Sequence, residues 1–306
     1  MKWHAPLAVA LIAATALMGC GAKKRLSADE YFSKATKDFE DGSYQLAIEQ
    51  YREMLDQYPF TEHGEEAELK IAHGHYLGGN LAEALAAFTD FQRRHPTSPQ
   101  LAFVGYVLGQ CYKQQMGTID RDQTASQNAH NYFATVAQQY PSSPFAQLAR
   151  EQLADCRARL AGHELYIADF YAQRDNRRAA EMRLLALVSR YNDTDISADA
   201  LSQLARIYRK QNDSERALLA DAALAQRFPH SKPASGARRR IARSGKQEVL
   251  NGDDPMPRLL AGLPRTTADP LAAPVLVPGI EPPRERPVPS AVPALAPPAP
   301  LAGSPY

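Results

Sequence analysis

Strong charge of one sign, long apolar runs and cysteine are all scarce in this chain of 306 residues. The 35 Lys and Arg are nearly balanced by 34 Asp and Glu, which excludes the basic footprint of a nucleic-acid-binding protein. Cysteine occurs only as Cys20, Cys111 and Cys156, and no Cys and His pairing has the spacing of a metal site. The sequence therefore predicts neither a nucleic-acid partner nor a bound metal.

Catalytic motifs are missing as well. No Gly-rich phosphate loop follows a strand pattern, and neither a Ser nucleophile elbow nor a His-Glu-x-x-His run is present. The acidic run Glu65, Glu66 and Glu68 is interpreted as the first turn of a helix, where the helix dipole favours carboxylates. We therefore predict that the chain is not an enzyme and that it uses no cofactor other than a covalent lipid.

That lipid is predicted by the N-terminus. Lys2 is followed by the mostly apolar run Ala5 to Leu17, which at 13 residues is too short to span a bilayer. The run leads to the residues Leu-Met-Gly-Cys ending at Cys20, which matches the end of a bacterial lipoprotein signal. We expect a signal peptide over residues 1–19, lipidation at Cys20 and a lipidated linker over residues 20–26. An ordinary signal peptide that contains a Cys is the alternative.

The C-terminal segment has the opposite bias. Of the 23 prolines, 15 lie from Pro255 onward, and no helical or strand period accompanies them. Such a segment cannot bury a shared apolar face. We predict a Pro-rich disordered tail over residues 245–306 and a folded region over residues 27–244.

The region from Ala28 to His230 has helical periodicity and almost no strand pattern. Its helical segments end in similar tails, most with an aromatic or His followed by Pro, and Pro after such a residue stops a helix and turns the chain. These tails, about 37 to 51 residues apart, indicate repeated helical pairs. They are Gln57-Tyr58-Pro59, Arg94-His95-Pro96, Gln139-Tyr140-Pro141, Arg190-Tyr191-Asn192 and Arg227-Phe228-Pro229.

Within the pairs, a small residue lies where the second helix would cross the first and an aromatic residue follows one turn later, as in Gly42 to Ala47 before Tyr51 and Gly79 to Ala84 before Phe88. In a first helix, the run Leu108-Gly109-Gln110-Cys111-Tyr112 places a small residue and a Tyr on the packing stripe. This pattern is typical of tetratricopeptide repeats (TPRs). The predicted fold is therefore all-α, a TPR solenoid of about five helical-hairpin repeats, in which the concave groove is the usual working surface. The five repeats are predicted at about 27–59, 64–96, 100–141, 144–192 and 196–229. The fourth contains a long first helix, with a kink possible at Gly162.

Two features leave alternatives open. Cys111 and Cys156 could form a disulfide or remain two separate buried thiols. The basic cluster of Arg238 to Arg240, Arg243 and Lys246 could contact anionic lipid head groups or an acidic partner, or could be a solvated helix end.

Local stretches resemble one family more closely than generic repeats require. Over residues 27–230 the chain resembles the BamD family, the lipoprotein component of the β-barrel assembly machine of the bacterial outer membrane. The long Pro-rich tail and Asn192 depart from that pattern. The matching stretches are Asp41 to Ile48, Gln57 to Phe60, Asp120 to Asp122 with Tyr132-Phe133, and Leu160 to Tyr171.

The resemblance implies a lipoprotein scaffold on the periplasmic face of the outer membrane, anchored through Cys20. It implies that the chain docks the periplasmic domains of the barrel-forming subunit BamA and receives unfolded outer-membrane β-barrel proteins, with other assembly-machine lipoproteins as further candidate partners. A periplasmic TPR adaptor for cell-wall synthesis or cell division is the alternative. Adaptors of that kind usually carry a coiled coil before the repeats, and no heptads precede Tyr31 here.

The resemblance also implies site residues. Tyr58, Pro59 and Phe60 match the corner of the first repeat, where contact with unfolded clients is expected; a hydrophobic staple that closes the turn is the alternative.

Arg174 and Arg183 match basic positions on the partner side, where a planar guanidinium suits carboxylates or strand-edge carbonyls. Asp120, Arg121 and Asp122 match the connector of the third repeat. They are either partner contacts or an internal ion-pair network.

Overall fold

A computed structural model describes residues 25–261 and 263, and all regular secondary structure in that part of the chain is helical. Cys20, the predicted signal peptide and nearly all of the predicted Pro-rich tail lie outside the described residues. The helices are α1 (Ala28–Glu40), α2 (Tyr44–Gln57), α3 (Gly64–Leu77), α4 (Leu81–Arg94), α5 (Leu101–Gln114), α6 (Thr124–Gln139), α7 (Pro144–Gln173), α8 (Arg177–Arg190), α9 (Ile196–Lys210), α10 (Ser214–Arg227), α11 (Ala234–Arg243), a 3₁₀ turn (Gln247–Leu250) and α12 (Met256–Leu260).

The helices form two compact units, the first ending at Ala87 and the second beginning at Phe88. In the first unit α1 packs on α2 and α2 packs on α3. In the second, each helix from α5 to α10 packs on the next one, and α7 also contacts α5 and α9. Contacts between consecutive helices and between every second helix are those of stacked helical hairpins, so the predicted all-α TPR architecture is confirmed.

The turn between the two helices of a hairpin depends on one backbone conformation. Gly42, Gly79, Asp175 and Asn212 all have positive φ, between 57° and 78°, directly after the first helix of a pair. At Gly42 the backbone N–H donates to Phe39 O at 3.1 Å. The N–H of the next residue reaches back to the carbonyl five residues earlier, which closes the C-terminus of the helix. Glycine at the first two of these turns adopts the left-handed conformation without the strain that Asp175 and Asn212 bear at the other two.

The predicted helix ends at aromatic residues are also confirmed. Helices α2, α6, α8 and α10 end one residue before Tyr58, Tyr140, Tyr191 and Phe228. Each of these four backbone N–H groups donates to the carbonyl four residues earlier, for example Tyr58 to Met54 at 2.8 Å. The aromatic residue completes the last helical turn, and the residue after it leaves the helix.

In the second unit, close helix packing needs glycine. A Cβ placed on Gly109 would lie 2.5 Å from Phe133 Cε1, and one on Gly105 would lie 2.8 Å from Val136 Cγ2. Phe133 and Val136 are both fully buried. The backbone of α5 therefore lies directly against side chains of α6, as the small residue at position 109 predicts.

Helix α7 has 30 residues and runs without interruption through Gly162. The Ser143 side chain caps its N-terminus, and Pro144 occupies the first helical position, where its missing N–H costs nothing. Among the described residues, no helix combines the length and the apolar composition needed to cross a bilayer.

The predicted start of the tail at residue 245 is wrong, because residues 247–260, here called the C-terminal strap, fold onto α10. Met256 and Leu259 are buried, and Gln226 Nε2 donates to Val249 O at 2.8 Å. Arg227 forms an ion pair with Asp254. The apolar residues of the strap are too few to give a period, so their burial depends on the surface that α10 presents.

Candidate functional site

At the corner after α2, a half-buried side chain is anchored and the two residues that follow it are exposed. The Tyr58 hydroxyl donates to Leu26 O at 2.7 Å, and the Tyr58 ring packs on the core of the first unit. Pro59 is exposed, and Phe60 is 99% exposed, the most exposed large hydrophobic residue in the described chain. The staple interpretation therefore holds for Tyr58 alone, whereas Phe60 offers its whole ring to another molecule.

This corner is held against α1 through His63. His63 Nε2 lies 2.9 Å from Asp29 Oδ1, and the imidazole stacks on the Phe32 ring with centroids 4.3 Å apart. A Glu62 oxygen also lies within 4.8 Å of the Asp29 and His63 ligand atoms. Sequence reasoning missed this cluster because Asp29 and His63 are 34 residues apart and share no motif.

The first unit is acidic, although the whole chain is balanced. Residues 25–87 contain 13 Asp and Glu against five Lys and Arg, a formal net charge of −8. Asp56, Glu62, Glu65 and Glu66, all exposed, are close in sequence to the corner at Phe60. The exposed ring therefore lies in an acidic segment of the chain.

A cleft of about 400 Å³ lies in the same unit, at the hairpin turns between α1 and α2 and after α3. Leu46 on its rim is 47% exposed. A Cβ on Gly74 would lie only 3.1 Å from Ile48 Cγ1, so glycine lets these two helices approach at the cleft floor. The cleft is lined by Gly42, Ser43, Tyr44, Gln45, Leu46, Ile48, Gly74, Gly78 and Asn80.

The two predicted partner-side arginines differ in the structure. Arg174 is exposed at the end of α7, and its guanidinium carbon lies 3.6 Å from the centroid of the Phe170 ring. Its Nη1 also donates to Phe170 O at 3.3 Å. The side chain is thus held in a defined position with one guanidinium face on the ring, as a docking cation requires.

Arg183 is instead buried and pairs with Glu164, with Nη1 3.0 Å from Oε2. The prediction of a partner contact at Arg183 is corrected to an internal ion pair between α8 and α7. The resemblance to the family matched this position to basic residues on the partner side, but it could not show that α7 places a carboxylate opposite it.

The connector before α6 is held mainly by Gln123. Its Nε2 donates to Thr118 O at 2.9 Å and to Arg121 O at 2.8 Å. The Asp122 carboxylate accepts from Thr124 N at 3.0 Å and so caps the start of α6. Asp120 and Asp122 are exposed, and Arg121 is half-buried. These three residues lie on an ordered connector, with the Asp122 carboxylate engaged by the helix.

Cys111 and Cys156 are free and fully buried. Burial raises the pKa of Cys111 to about 12 and that of Cys156 to about 11, because the thiolate would lose its hydration. Of the two alternatives from the sequence, the structure has two separate buried thiols.

In the basic cluster at the end of the repeats, one arginine is paired with a buried carboxylate and other basic residues are exposed. Arg240 is bound to the buried carboxylate of Asp221, with Nη2 2.6 Å from Oδ1, and Arg209 pairs with the same carboxylate at 3.0 Å. Arg239, Arg243 and Lys246 are exposed. Residues 88–261 carry 24 Lys and Arg against 18 Asp and Glu, a formal net charge of +6.

Comparison with known proteins finds a matching family model and several related proteins. The family model described as YfiO, an outer membrane lipoprotein, matches residues 24–220. An outer membrane protein assembly factor BamD of Caulobacter vibrioides is 27% identical over 228 residues, covering 72% of this chain and 75% of the relative. The BamD of Pasteurella multocida is 29% identical over 216 residues, covering 67% and 83%.

Among solved structures, a thermophilic TPR protein of Thermus thermophilus aligns with a TM-score of 0.30 at 18% identity, covering 71% of this chain and 98% of that chain. The resemblance to the BamD family rests on the family match and on the relatives, and both confirm it. Because the family model matches 197 residues, more than half of the chain, the chain belongs to the YfiO family of outer membrane lipoproteins.

Proposed function

We propose that this chain is a non-enzymatic lipoprotein scaffold of outer-membrane β-barrel assembly, which docks the barrel-forming subunit and receives unfolded barrel proteins. Membership of the YfiO family carries the proposal, since relatives matched over most of their length are named outer membrane protein assembly factors. A helical-repeat protein acts by holding other chains in its surfaces and grooves. Binding and positioning, rather than chemistry, is the activity that such a fold supports.

The proposed client contact is the corner at Tyr58, Pro59 and Phe60. Burying a Phe side chain away from water is favourable by about 1.5–3 kcal/mol. Phe60 remains exposed in the folded chain, so this free energy is available for binding a client. An unfolded barrel strand, rich in apolar and aromatic side chains, supplies a matching surface. The cleft beside Leu46 offers a second recess for a client side chain in the same unit.

The corner can be tested with a matched pair of variants. Phe60→Ala removes the fully exposed ring, and Leu148→Ala removes a side chain that is 36% exposed on α7. We expect Phe60→Ala to weaken binding of a fluorescent peptide from an unfolded barrel protein about tenfold, which corresponds to about 1.4 kcal/mol. Leu148→Ala should leave binding unchanged. Equal affinities for the two variants would reject the corner as the client contact while leaving the scaffold role open.

The proposed partner contacts are Arg174 and the connector residues Asp120, Arg121 and Asp122. Arg174 is exposed and oriented by Phe170, so it can bind a carboxylate or a strand-edge carbonyl of the barrel subunit without first being ordered. Arg174→Gln is expected to reduce recovery of the barrel subunit in a pull-down. Arg178→Gln, which removes another exposed arginine four residues later, is the control.

We further propose that lipid on Cys20 anchors the chain to the periplasmic face of the outer membrane. Labelling with a radioactive fatty acid, followed by membrane fractionation, tests this directly. Cys20→Ala should lose the label and move to the soluble fraction. A label that survives the substitution would exclude Cys20 as the attachment site.

Depletion of the protein from cells distinguishes the main function from the alternative of a cell-wall or cell-division adaptor. The proposed scaffold predicts selective loss of outer-membrane barrel proteins. Chains of undivided cells with normal barrel levels, together with recovery of murein enzymes only, would instead support the adaptor.

A further inference from the structure

The outward face of α11 lies beyond the family match, which ends at residue 220. Ala234, Ala237 and Ile241 are buried and dock this helix on α10. On the opposite side Arg239 and Arg243 lie one turn apart, because a helix repeats every 3.6 residues. Lys232 and Lys246 flank the two ends of the helix. These four exposed residues, Lys232, Arg239, Arg243 and Lys246, are called the basic face.

The fold supplies no counter-charge for the basic face. In the described chain, none of its four side chains has a hydrogen bond or an ion pair with a carboxylate, whereas neighbouring Arg240 is bound to Asp221. Of the three acidic residues of the strap, Asp254 is engaged by Arg227, and among the described residues neither Glu248 nor Asp253 forms an ion pair with the basic face. Like charges one turn apart repel, so this arrangement destabilises α11 slightly unless an external anion is bound.

The composition of the face indicates what that anion is. The other exposed residues between positions 235 and 245 include no aromatic or large aliphatic side chain; they are Ser235, Arg238, Ala242, Ser244 and Gly245. A protein interface requires a desolvated apolar or aromatic centre, which is missing here. A charged lipid surface needs no such centre, because each Lys or Arg near it contributes independently.

We propose that the basic face of α11 binds the phosphate head groups of anionic phospholipids. Binding would hold the end of the repeat array at a membrane surface, independently of the client corner and of the partner contacts. The proposal therefore stands or falls separately from the proposed function.

The test uses the chain from residue 21 onward, which keeps every described residue and has no lipid attachment site. Its sedimentation with phosphatidylcholine vesicles is compared with its sedimentation with vesicles in which roughly one third of the lipid is phosphatidylglycerol. Each basic residue near the surface is worth about a fivefold change in partitioning. The double variant Arg239→Gln with Arg243→Gln should therefore bind the anionic vesicles roughly 25-fold more weakly.

The matched control is Arg206→Gln with Lys210→Gln, which removes two exposed cations at the same spacing on α9. It should bind the anionic vesicles like the parent chain. Thermal unfolding of both double variants checks that they remain folded. Raising the salt from about 0.1 M to about 1 M should abolish binding of the parent chain.

Three outcomes would overturn the proposal. One is equal binding to neutral and anionic vesicles, and another is equal loss of binding in the two double variants. The third is that the chain does not bind either kind of vesicle but binds, through Arg239 and Arg243, a second copy of itself, an acidic protein or millimolar inorganic phosphate.

Discussion

Arg183 and Glu164 form an ion pair inside the fourth repeat, with 3.0 Å between Arg183 Nη1 and Glu164 Oε2 and less than a tenth of either side chain exposed. The pair joins α8 to α7, the longest helix of the described chain. Because both charges are removed from water, each depends on the other for its stabilisation.

Removing one partner should therefore cost more than removing both. We expect Arg183→Met to lower the free energy of unfolding by about 3 kcal/mol, because the Glu164 carboxylate would stay buried without a counter-charge. The double variant Glu164→Leu with Arg183→Met should lie within about 1 kcal/mol of the parent chain. Urea unfolding followed by circular dichroism measures both. A single variant as stable as the double one would mean that the pair is not coupled, and exposed Arg174→Met is the control.

The left-handed hairpin turns predict a backbone effect that is separate from packing. A Cβ at Gly79 would meet nothing within 4 Å, but φ there is +78°, so Gly79→Ala should cost about 1–2 kcal/mol from conformation alone. Gly64→Ala at the start of α3 also meets nothing, and φ there is negative, so it should be neutral or slightly stabilising. Thermal unfolding of the two variants compares them. Equal melting temperatures would contradict the argument.

The packing of α5 on α6 predicts a steric effect. Gly109→Ala would place a methyl group 2.5 Å from a Phe133 ring carbon, which should destabilise the protein by about 1–3 kcal/mol. Adding Phe133→Leu should recover part of the loss, because the smaller side chain leaves room for the methyl group. If the double variant were less stable than the sum of the two single changes, this explanation would be wrong.

The C-terminal strap should detach in acid. The hydrogen bond from Arg227 lowers the pKa of Asp254, so this carboxylate stabilises the strap above its unfolded pKa of about 3.9. The stabilisation is lost as the pH falls through the lower folded-state pKa. Hydrogen exchange of residues 247–260, corrected for intrinsic rates, should therefore accelerate below about pH 4. Asp254→Asn should reduce the protection of these amides from exchange already at neutral pH, and their exchange should then depend less on pH. Asp253→Asn should behave like the parent chain.

The two buried thiols should be unreactive in the folded protein. Burial raises the pKa of Cys156 to about 11 and that of Cys111 to about 12, so neither carries appreciable thiolate near pH 8. In the chain from residue 21 onward, a thiol reagent should modify neither cysteine until urea unfolds the protein, and then both. Rapid modification of the folded chain would show that the helices around these residues open readily.

Local features of this protein could be predicted because their causes are local. Gly42 and Gly79 take the hairpin turns of the structure because a single glycine can adopt the left-handed backbone. Tyr58 and Tyr140 mark helix ends because the following Pro acts on its immediate neighbour. The repeat count and the long α7 follow from these boundaries.

The sites were less predictable, because exposure depends on what other segments cover. The motif containing Phe60 ends a helix whether or not the ring is buried, and only the placement of Tyr58 against Leu26 shows that the neighbouring ring is left outside. For the same reason, Arg183 was wrongly predicted to be a surface residue, and Met256 and Leu259 were wrongly assigned to the disordered tail.

The helical repeats of this protein and its family follow from the order of its residues, since periodicity, turn residues and helix terminators act within a few residues of one another. The pairing of charges across segments follows instead from how the helices pack in three dimensions. Arg183, Arg240 and Arg243 belong to similar basic helices, but Glu164 and Asp221 come from distant segments to meet the first two, and no carboxylate of the described chain meets the third. Pairing across segments depends on three-dimensional distance, which the order of residues does not specify.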